Sequence, residues 1–275
     1  MKLFLLIACL YSQLSFSFIP NISNALGEVF EGRKGGLQEM FLKHRVFNPG
    51  GEPIEIEETI LYQGNRIFIS FKIGQTLLAG EFSDRKYKLP GMVIPARTLL
   101  FLKYLVGGSA DDYREIALRE QFIKREYLTD FQPTFKAEGD PQTWALKDNY
   151  IKQDGVSFKK LKQGVGVAYR GNPTDEGEHI LYLDPSYKGV KRIEWLEGKE
   201  THAWNFDGFS KLGSGYFPRV IAFESNGAEI VVSNLVTLKQ AREKNIADFR
   251  RLIARPVVQP SGEGMNALKT LLSYR

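Results

Sequence analysis

Cysteine and histidine are scarce in this sequence. Among its 275 residues there is one cysteine, Cys9, and there are three histidines, His44, His179 and His202. A single cysteine excludes a disulfide within the chain. The histidines lack the short spacing of a zinc site, and there is no Gly-x-Ser-x-Gly motif of a hydrolase. We therefore expect no metal, no cofactor and no enzymatic activity.

A strong net charge is also missing, as is any long hydrophobic run beyond the first residues. The formal net charge is +5 at pH 7, which does not require a nucleic-acid partner. No later apolar stretch reaches the roughly 18 residues of a membrane-spanning helix. Basic residues are concentrated after Lys159 and again after Arg242. Solvated surface is the simpler interpretation of them, and transient contact with an anionic membrane surface is the alternative.

The first residues have the pattern of a secretory signal peptide. Lys2 precedes an apolar run from Leu3 to Leu10, and a small-x-small site follows at Ser15-Phe16-Ser17. We expect residues 1–17 to be removed, which also removes Cys9. Cys9 is also similar to the lipid-attachment site of a bacterial lipoprotein, but the apolar run before it is short. An exported β-rich protein of this size without cysteine favours a periplasmic location.

Two regions of the chain have the period-two pattern of antiparallel strands. In the later region, short apolar and aromatic runs alternate with turn pairs such as Asp207-Gly208 and Asn226-Gly227. The predicted strands there are 179–183, 190–196, 201–206, 219–223 and 229–236, preceded by 143–146, 157–161 and 164–170. The earlier region, between residues 38 and 82, predicts a second meander of about four strands. An antiparallel meander has one face for a core or a cavity.

Helical spacing appears before, between and after the two meanders. The predicted helices cover about 21–34, 95–106, a helix capped by Ser109 or Asp111 and running to about 124, 239–253 and 265–272. The order predicts an α+β fold on a large antiparallel sheet. We divide the chain into a signal peptide (1–17), one domain (18–254) with a helical insertion at about 95–130, and a linker with a C-terminal helix (255–275).

The later strands carry a resemblance to a known family. The run from Gly213 to Phe223, the Asn226-Gly227 turn, the strand from Glu229 to Val236 and the segment Asn245-Ile-Ala-Asp-Phe-Arg250 resemble the periplasmic lipoprotein carriers of the LolA/LolB-like superfamily. The resemblance implies an unclosed antiparallel β-barrel, or half-barrel, covered by helices. It also implies an apolar concave face that accepts acyl chains.

Ten residues are candidates for lining such a cavity or its lid. On the strands between residues 66 and 83, one parity of side chains is apolar and is predicted to face inward. A leucine-rich helix is the candidate lid, and two tryptophans could present a flat apolar surface. The ten are Ile67, Ile69, Phe71, Leu78, Phe82, Leu99, Leu102, Leu105, Trp195 and Trp204. For each of them, packing in an ordinary core is the alternative.

Three nearby carboxylates receive a different interpretation. Glu55, Glu57 and Glu58 lie among alternating isoleucines, and we expect all three on the solvent face of a strand.

The pattern as a whole predicts an exported, non-catalytic carrier of a lipid or of a lipoprotein acyl group. Transfer of an acyl chain from water gains roughly 0.8 kcal/mol per buried methylene. The alternative is an envelope structural or regulatory module with the same fold and a filled interior, which binds a protein partner. The expected partners are therefore a lipid or lipoprotein acyl chain, or envelope proteins, and no nucleic acid.

Overall fold

The computed structural model describes residues 21–33, 35–48, 51–128, 156–162, 164–171, 177–186, 188–255, 260 and 262–275. The predicted signal peptide (1–17) and the predicted strand at 143–146 lie outside these residues. The described helices are α1 (Ile22–Phe30), α2 (Leu99–Val106), α3 (Ala110–Arg119), α4 (Glu243–Ile253) and α5 (Gly262–Ser273), with a 3₁₀ turn at Arg125–Leu128. None of these described helices has both the length and the hydrophobicity needed to cross a bilayer.

The strands follow the two predicted meanders. They are β1 (Gln38–Val46), β2 (Ile54–Gln63), β3 (Arg66–Ile73), β4 (Thr76–Ser83), β5 (Lys86–Leu89), β6 (Met92–Pro95), β7 (Val156–Leu161), β8 (Gly164–Arg170), β9 (His179–Leu183), β10 (Val190–Glu197), β11 (Glu200–Asp207), β12 (Ser210–Leu212), β13 (Gly215–Phe217), β14 (Val220–Ser225) and β15 (Ala228–Gln240).

Thirteen strands form one sheet in the order β6-β5-β4-β3-β2-β1-β15-β14-β11-β10-β9-β8-β7, while β12 and β13 form a separate hairpin. Every pair in the large sheet is antiparallel, and the β1–β15 pair joins the two meanders. In the described part of the chain β6 and β7 do not pair with each other, so the sheet is a half-barrel. The predicted fold class, α+β with an unclosed antiparallel barrel and helices, is confirmed.

The turn chemistry seen in the sequence matches the observed backbone. Asn226 and Gly227 have φ values of 50° and 77° between β14 and β15. Positive φ at both central residues is the geometry of a tight hairpin turn, and it explains the Asn-Gly pair.

The prediction was wrong about the end of the first meander. Two further strands, β5 and β6, extend it, and Pro95 ends β6 instead of beginning a helix. Helix α2 begins later, because the Thr98 side chain caps it by accepting a hydrogen bond from the Leu100 amide at 3.1 Å.

The predicted end of the next helix is also wrong. Helix α3 stops at Arg119, and Gln121 has a φ of 59°, which helical backbone does not allow. The start agrees with prediction, since the Ser109 hydroxyl caps the helix through the Asp112 amide.

The sheet separates two apolar regions. The concave side faces one large core, together with α1, α2, α3 and α5. On the convex side, α4 covers a small cluster in which Phe249 packs against Phe68 of β3 at a ring distance of 6.4 Å. The helices that matter for a binding site are therefore those inside the half-barrel.

Candidate functional site

Helix α5 fills part of the concave face of the half-barrel. It contacts β1, β2 and β6. Its apolar side chains recur at i, i+3 and i+4, the spacing of one helical face. Ala267, Leu268, Leu271 and Leu272 are all completely buried, while Asn266, Lys269 and Ser273 on the other face are exposed. The helix thus lies with one face in the core and one in water.

The ten residues predicted to line a cavity or lid all belong to the core that α5 joins. Each is less than 9% exposed, and Leu99 at 8% is the most accessible of them. The structure therefore brings all ten together, in contact with other parts of the protein. Their role in ligand binding stays a prediction.

A row of polar side chains crosses the sheet beneath α5. His44 Nδ1 lies 2.7 Å from Ser233 Oγ, and His44 Nε2 lies 3.0 Å from Glu58 Oε2. Arg275, just after α5, donates from Nη1 to both carboxylate oxygens of Glu58, at 2.7 and 2.9 Å. All four side chains are fully buried. The row connects α5 to three adjacent strands.

Strand register explains why these residues meet. His44 on β1 is directly opposite Ser233 on β15, and Glu58 on β2 is opposite Leu42, two residues from His44. Opposite and diagonal cross-strand neighbours on one face are within reach of each other. The row therefore follows from the pairing of β2, β1 and β15, and α5 adds the arginine.

The electrostatics of the row are dominated by the ion pair. Burial alone would raise the pKa of Glu58, but the Arg275 charge and the His44 hydrogen bond more than offset this and lower it to about 2. Burial lowers the pKa of His44, so its imidazole is neutral at pH 7. Because an ionised carboxylate only accepts, Nε2 carries the proton and donates to Glu58. Nδ1 then accepts from the Ser233 hydroxyl.

Serine, histidine and glutamate are also the residue types of a hydrolase triad, but their geometry here differs. In a triad the histidine Nε2 takes the serine proton and Nδ1 donates to the carboxylate. Here Nδ1 contacts the serine, Ser233, and Nε2 contacts the carboxylate of Glu58. Ser233 is completely buried, and the Glu58 charge is compensated by Arg275. This arrangement orders the sheet and holds α5.

Sequence reasoning placed Glu58 wrongly. Glu55 and Glu57 lie on the outer face of β2, but Glu58 is fully buried. Glu58 has the same strand parity as Ile56 and Ile60, so strict period-two counting would have placed it inside. His44 has the same parity as Leu42 and Val46 on β1. Arg275 had no such signal, because its partner is 217 residues away.

Further contacts hold the residues after α5. Trp204 Nε1 donates to the backbone oxygen of Tyr274 at 2.8 Å. The Arg97 amide donates to the backbone oxygen of Arg275 at 2.5 Å. The Tyr274 ring stacks on Phe223 at 4.2 Å. These two hydrogen bonds and the ring contact hold the last two residues against the core.

Two cavities open beside the core. One, of about 480 Å³, has Trp195, His179, Arg97 and Glu197 among its lining residues. The other, of about 310 Å³, is lined on one side by Arg33 and on another by Lys239. Within the described ranges, no cluster of three or more histidine, cysteine or acidic side chains has metal-site geometry.

We expect the buried histidine to make stability depend on pH. The pKa of His44 is lowered in the folded chain, whereas an unfolded histidine titrates near about 6.5. Below that pH His44 binds a proton in the unfolded chain but stays neutral in the folded chain. The free energy of unfolding should then fall by at most about 1.4 kcal/mol per pH unit. Glu58 has a pKa of about 2 in the folded chain, so it adds a second loss of stability below about pH 4.3.

Urea unfolding between pH 4.5 and 8 measures this slope. The comparison is made in a His202→Gln background, because burial also lowers the pKa of His202. Adding His44→Gln should flatten the curve between pH 5 and 6.5. An unchanged slope would show that His44 is not the group responsible.

Comparisons with known proteins were made by family, by sequence and by structure. No protein-family model matches the chain, and no curated protein matches it by sequence. Among solved structures, a LolA superfamily protein from Nitrosomonas europaea is 12% identical with a TM-score of 0.46, covering 86% of this chain and 99% of that chain.

A DUF1329 family protein from Desulfovibrio piger is 8% identical with a TM-score of 0.46, covering 84% of this chain and 98% of that chain. The MucA/MucB complex of Pseudomonas aeruginosa contains a chain that is 11% identical with a TM-score of 0.25, covering 87% of this chain and 64% of that chain. Of these proteins, the one from Nitrosomonas europaea is described as a member of the LolA superfamily.

Proposed function

We propose that the protein is an exported, non-catalytic binding protein whose half-barrel takes up an apolar chain, such as that of a lipid or a lipoprotein acyl group. One observation carries this proposal: α5 covers the part of the concave face formed by β1, β2 and β6, and its apolar face is fully buried there. Without α5, apolar side chains on the inner face of β1 and β2, such as Met40, Leu42 and Ile56, would line a groove that the polar row crosses. An acyl chain and α5 would compete for that groove.

The energies of the two occupants are similar. Burying a leucine side chain contributes about 1.5–3 kcal/mol, so the three buried leucines of α5 contribute about 5–9 kcal/mol. A chain of about ten methylenes would gain about 8 kcal/mol in the same groove. Exchange between helix and ligand is then governed by a small difference of affinities. Such a balance suits a carrier that must also release its cargo.

The geometry of the polar row supports a binding function without catalysis. Its serine is inaccessible, its histidine is neutral and its carboxylate is paired with arginine. The predicted signal peptide and the cysteine-free remainder of the chain support a periplasmic location. Transient contact with a membrane surface would then accompany loading or unloading.

A second candidate function is favoured by the same packing. If α5 never leaves, the protein is a filled half-barrel, a structural or regulatory module that binds a protein partner. The buried Arg275–Glu58 pair favours this alternative, because it would have to break before α5 could move away.

Weakening the packing of α5 distinguishes the two candidate functions. Leu271→Ala removes a fully buried side chain from α5, and Leu61→Ala does the same on the convex face beneath α4. Both should destabilise the fold by about 2–5 kcal/mol. If α5 competes with ligand, only Leu271→Ala should tighten binding of a fluorescent fatty acid, by several-fold. Titrations are made on the chain from residue 18 onward.

Two results would contradict the carrier function. One is the absence of fatty-acid uptake by both variants and by the unsubstituted chain, with native mass spectrometry showing no co-purified lipid. The other is an equal gain in both variants, since this would indicate general loosening. Either result favours the filled module.

A further inference from the structure

A second buried arginine has no charged partner. Arg33 follows α1 and is 8% exposed. Its guanidinium carbon lies 4.6 Å from the ring centre of Phe30, 4.7 Å from that of Tyr104 and 4.4 Å from that of Phe217. The rings attract the cation through their faces, but they carry no negative charge.

The hydrogen bonds of Arg33 also leave its charge uncompensated. Nη1 donates to the backbone oxygen of Tyr104, and Nη2 donates to that of Tyr216 at 3.0 Å. Nε is buried and has no hydrogen-bond partner among the described residues. No described carboxylate lies within 4.0 Å of the guanidinium. Burial accordingly lowers the pKa of Arg33. Arg275, equally buried, has Glu58 as its counter-charge.

A cavity adjoins this unpaired cation. Arg33 forms part of the wall of the 310 Å³ cavity, and Lys239 of β15 forms another part. The β12–β13 hairpin contributes further wall residues, 212–215. A Cβ atom at Gly215 would lie 2.8 Å from Arg33 Cγ, which is too close. Glycine at this position therefore leaves room for the Arg33 side chain. Lys239 Nζ is paired with Glu39 Oε1 at 2.8 Å, beside Asn245 of α4. The cavity thus combines one unpaired basic side chain, Arg33, with backbone of the β12–β13 hairpin.

We propose that this cavity binds a carboxylate or phosphate group of a ligand, with Arg33 as its counter-charge. A guanidinium has five N–H donors in a fixed fork that suits both anions. A buried cation is costly without an opposite charge, and a bound anion would supply one. The volume is at the small end of ligand sites, which fits a headgroup or a small free anion. The site does not depend on displacement of α5.

Isothermal titration of the chain from residue 18 onward, at low ionic strength, tests the site. The probes are inorganic phosphate and acetate as free anions, dodecanoate and lysophosphatidic acid as anionic amphiphiles, and monododecanoylglycerol as a neutral amphiphile. Arg33→Gln should weaken binding of the anionic probes at least 10-fold, and Arg33→Lys should restore part of it. Lys239→Gln should have little effect, because Lys239 is already paired with Glu39. Lys43→Gln makes the same charge change at an exposed side chain of β1 and should have no effect.

The outcomes also identify the source of the anion. Binding of phosphate or acetate that depends on Arg33 supports a free anion as ligand. Binding of the anionic amphiphiles alone, lost in Arg33→Gln, supports a lipid headgroup. If no anionic probe binds at millimolar concentration, or if Arg33→Gln binds them as tightly as the unsubstituted chain, the proposal is overturned. Binding of monododecanoylglycerol reports on the groove beneath α5 alone, so the two proposals can fail separately.

Discussion

Arg275→Ala is expected to lower the free energy of unfolding by about 3–5 kcal/mol, because it leaves the Glu58 carboxylate buried without its counter-charge. Truncation of one partner of a buried ion pair is costly for this reason, even where the pair itself contributes little net stability. Urea unfolding at pH 7 measures the loss. The double variant Arg275→Ala with Glu58→Gln should recover part of it, since no charge then remains unpaired.

An exposed ion pair provides the control for this prediction. Arg251 on α4 lies 3.4 Å from Asp248, and both side chains are more than half exposed. Arg251→Ala should change stability by no more than about 1 kcal/mol. If Arg275→Ala were equally mild, the Arg275–Glu58 pair would not hold α5 in the half-barrel.

Trp204→Ala should destabilise the fold by about 3–5 kcal/mol, the range for loss of a buried aromatic side chain. Its ring packs against Phe101 at 4.1 Å and against Phe223 at 4.9 Å, and its indole holds the backbone oxygen of Tyr274. The loss should be seen as an earlier midpoint in urea unfolding. It should also raise the rate at which the amides of α5 exchange with solvent.

Substitution by phenylalanine isolates the hydrogen bond. Trp204→Phe keeps an aromatic ring but leaves the Tyr274 oxygen without this donor, at a cost of about 1–3 kcal/mol. Trp195 is also buried, but its indole nitrogen has no partner in the described residues. Trp195→Phe should therefore be milder and should leave the exchange of α5 unchanged. Equal exchange rates in the two variants would contradict a role of Trp204 in holding α5.

Much of the local structure could be read from short-range patterns. Ile67, Ile69 and Phe71 alternate with residues that are polar except for Phe68, and this alternation predicts one buried face of β3. Tight turns such as Asn226-Gly227 were identified because few residues accept positive φ. The strands β5 and β6 were missed, since four-residue strands around Pro90-Gly91 carry too little alternation to distinguish them from a loop.

The candidate site was only half predictable. The ten apolar residues were predicted to line a cavity or its lid, and they do lie in one core. The polar row was missed because a buried His44, Glu58 or Ser233 differs from a solvated one only through its partners. Those partners come from β1, β2 and β15, which are far apart in the sequence.

By itself, the sequence determined the α+β class, the two meanders, the amphipathic character of the last helix and the apolar face of the sheet. These features depend on interactions between residues a few positions apart, and composition and spacing record such interactions. Only the tertiary structure decided that α5 lies inside the half-barrel, that Arg275 pairs with Glu58, and that Arg33 is buried beside a cavity without a counter-charge. Burial and charge pairing depend on which distant segments meet in space, and no local pattern in the chain specifies that.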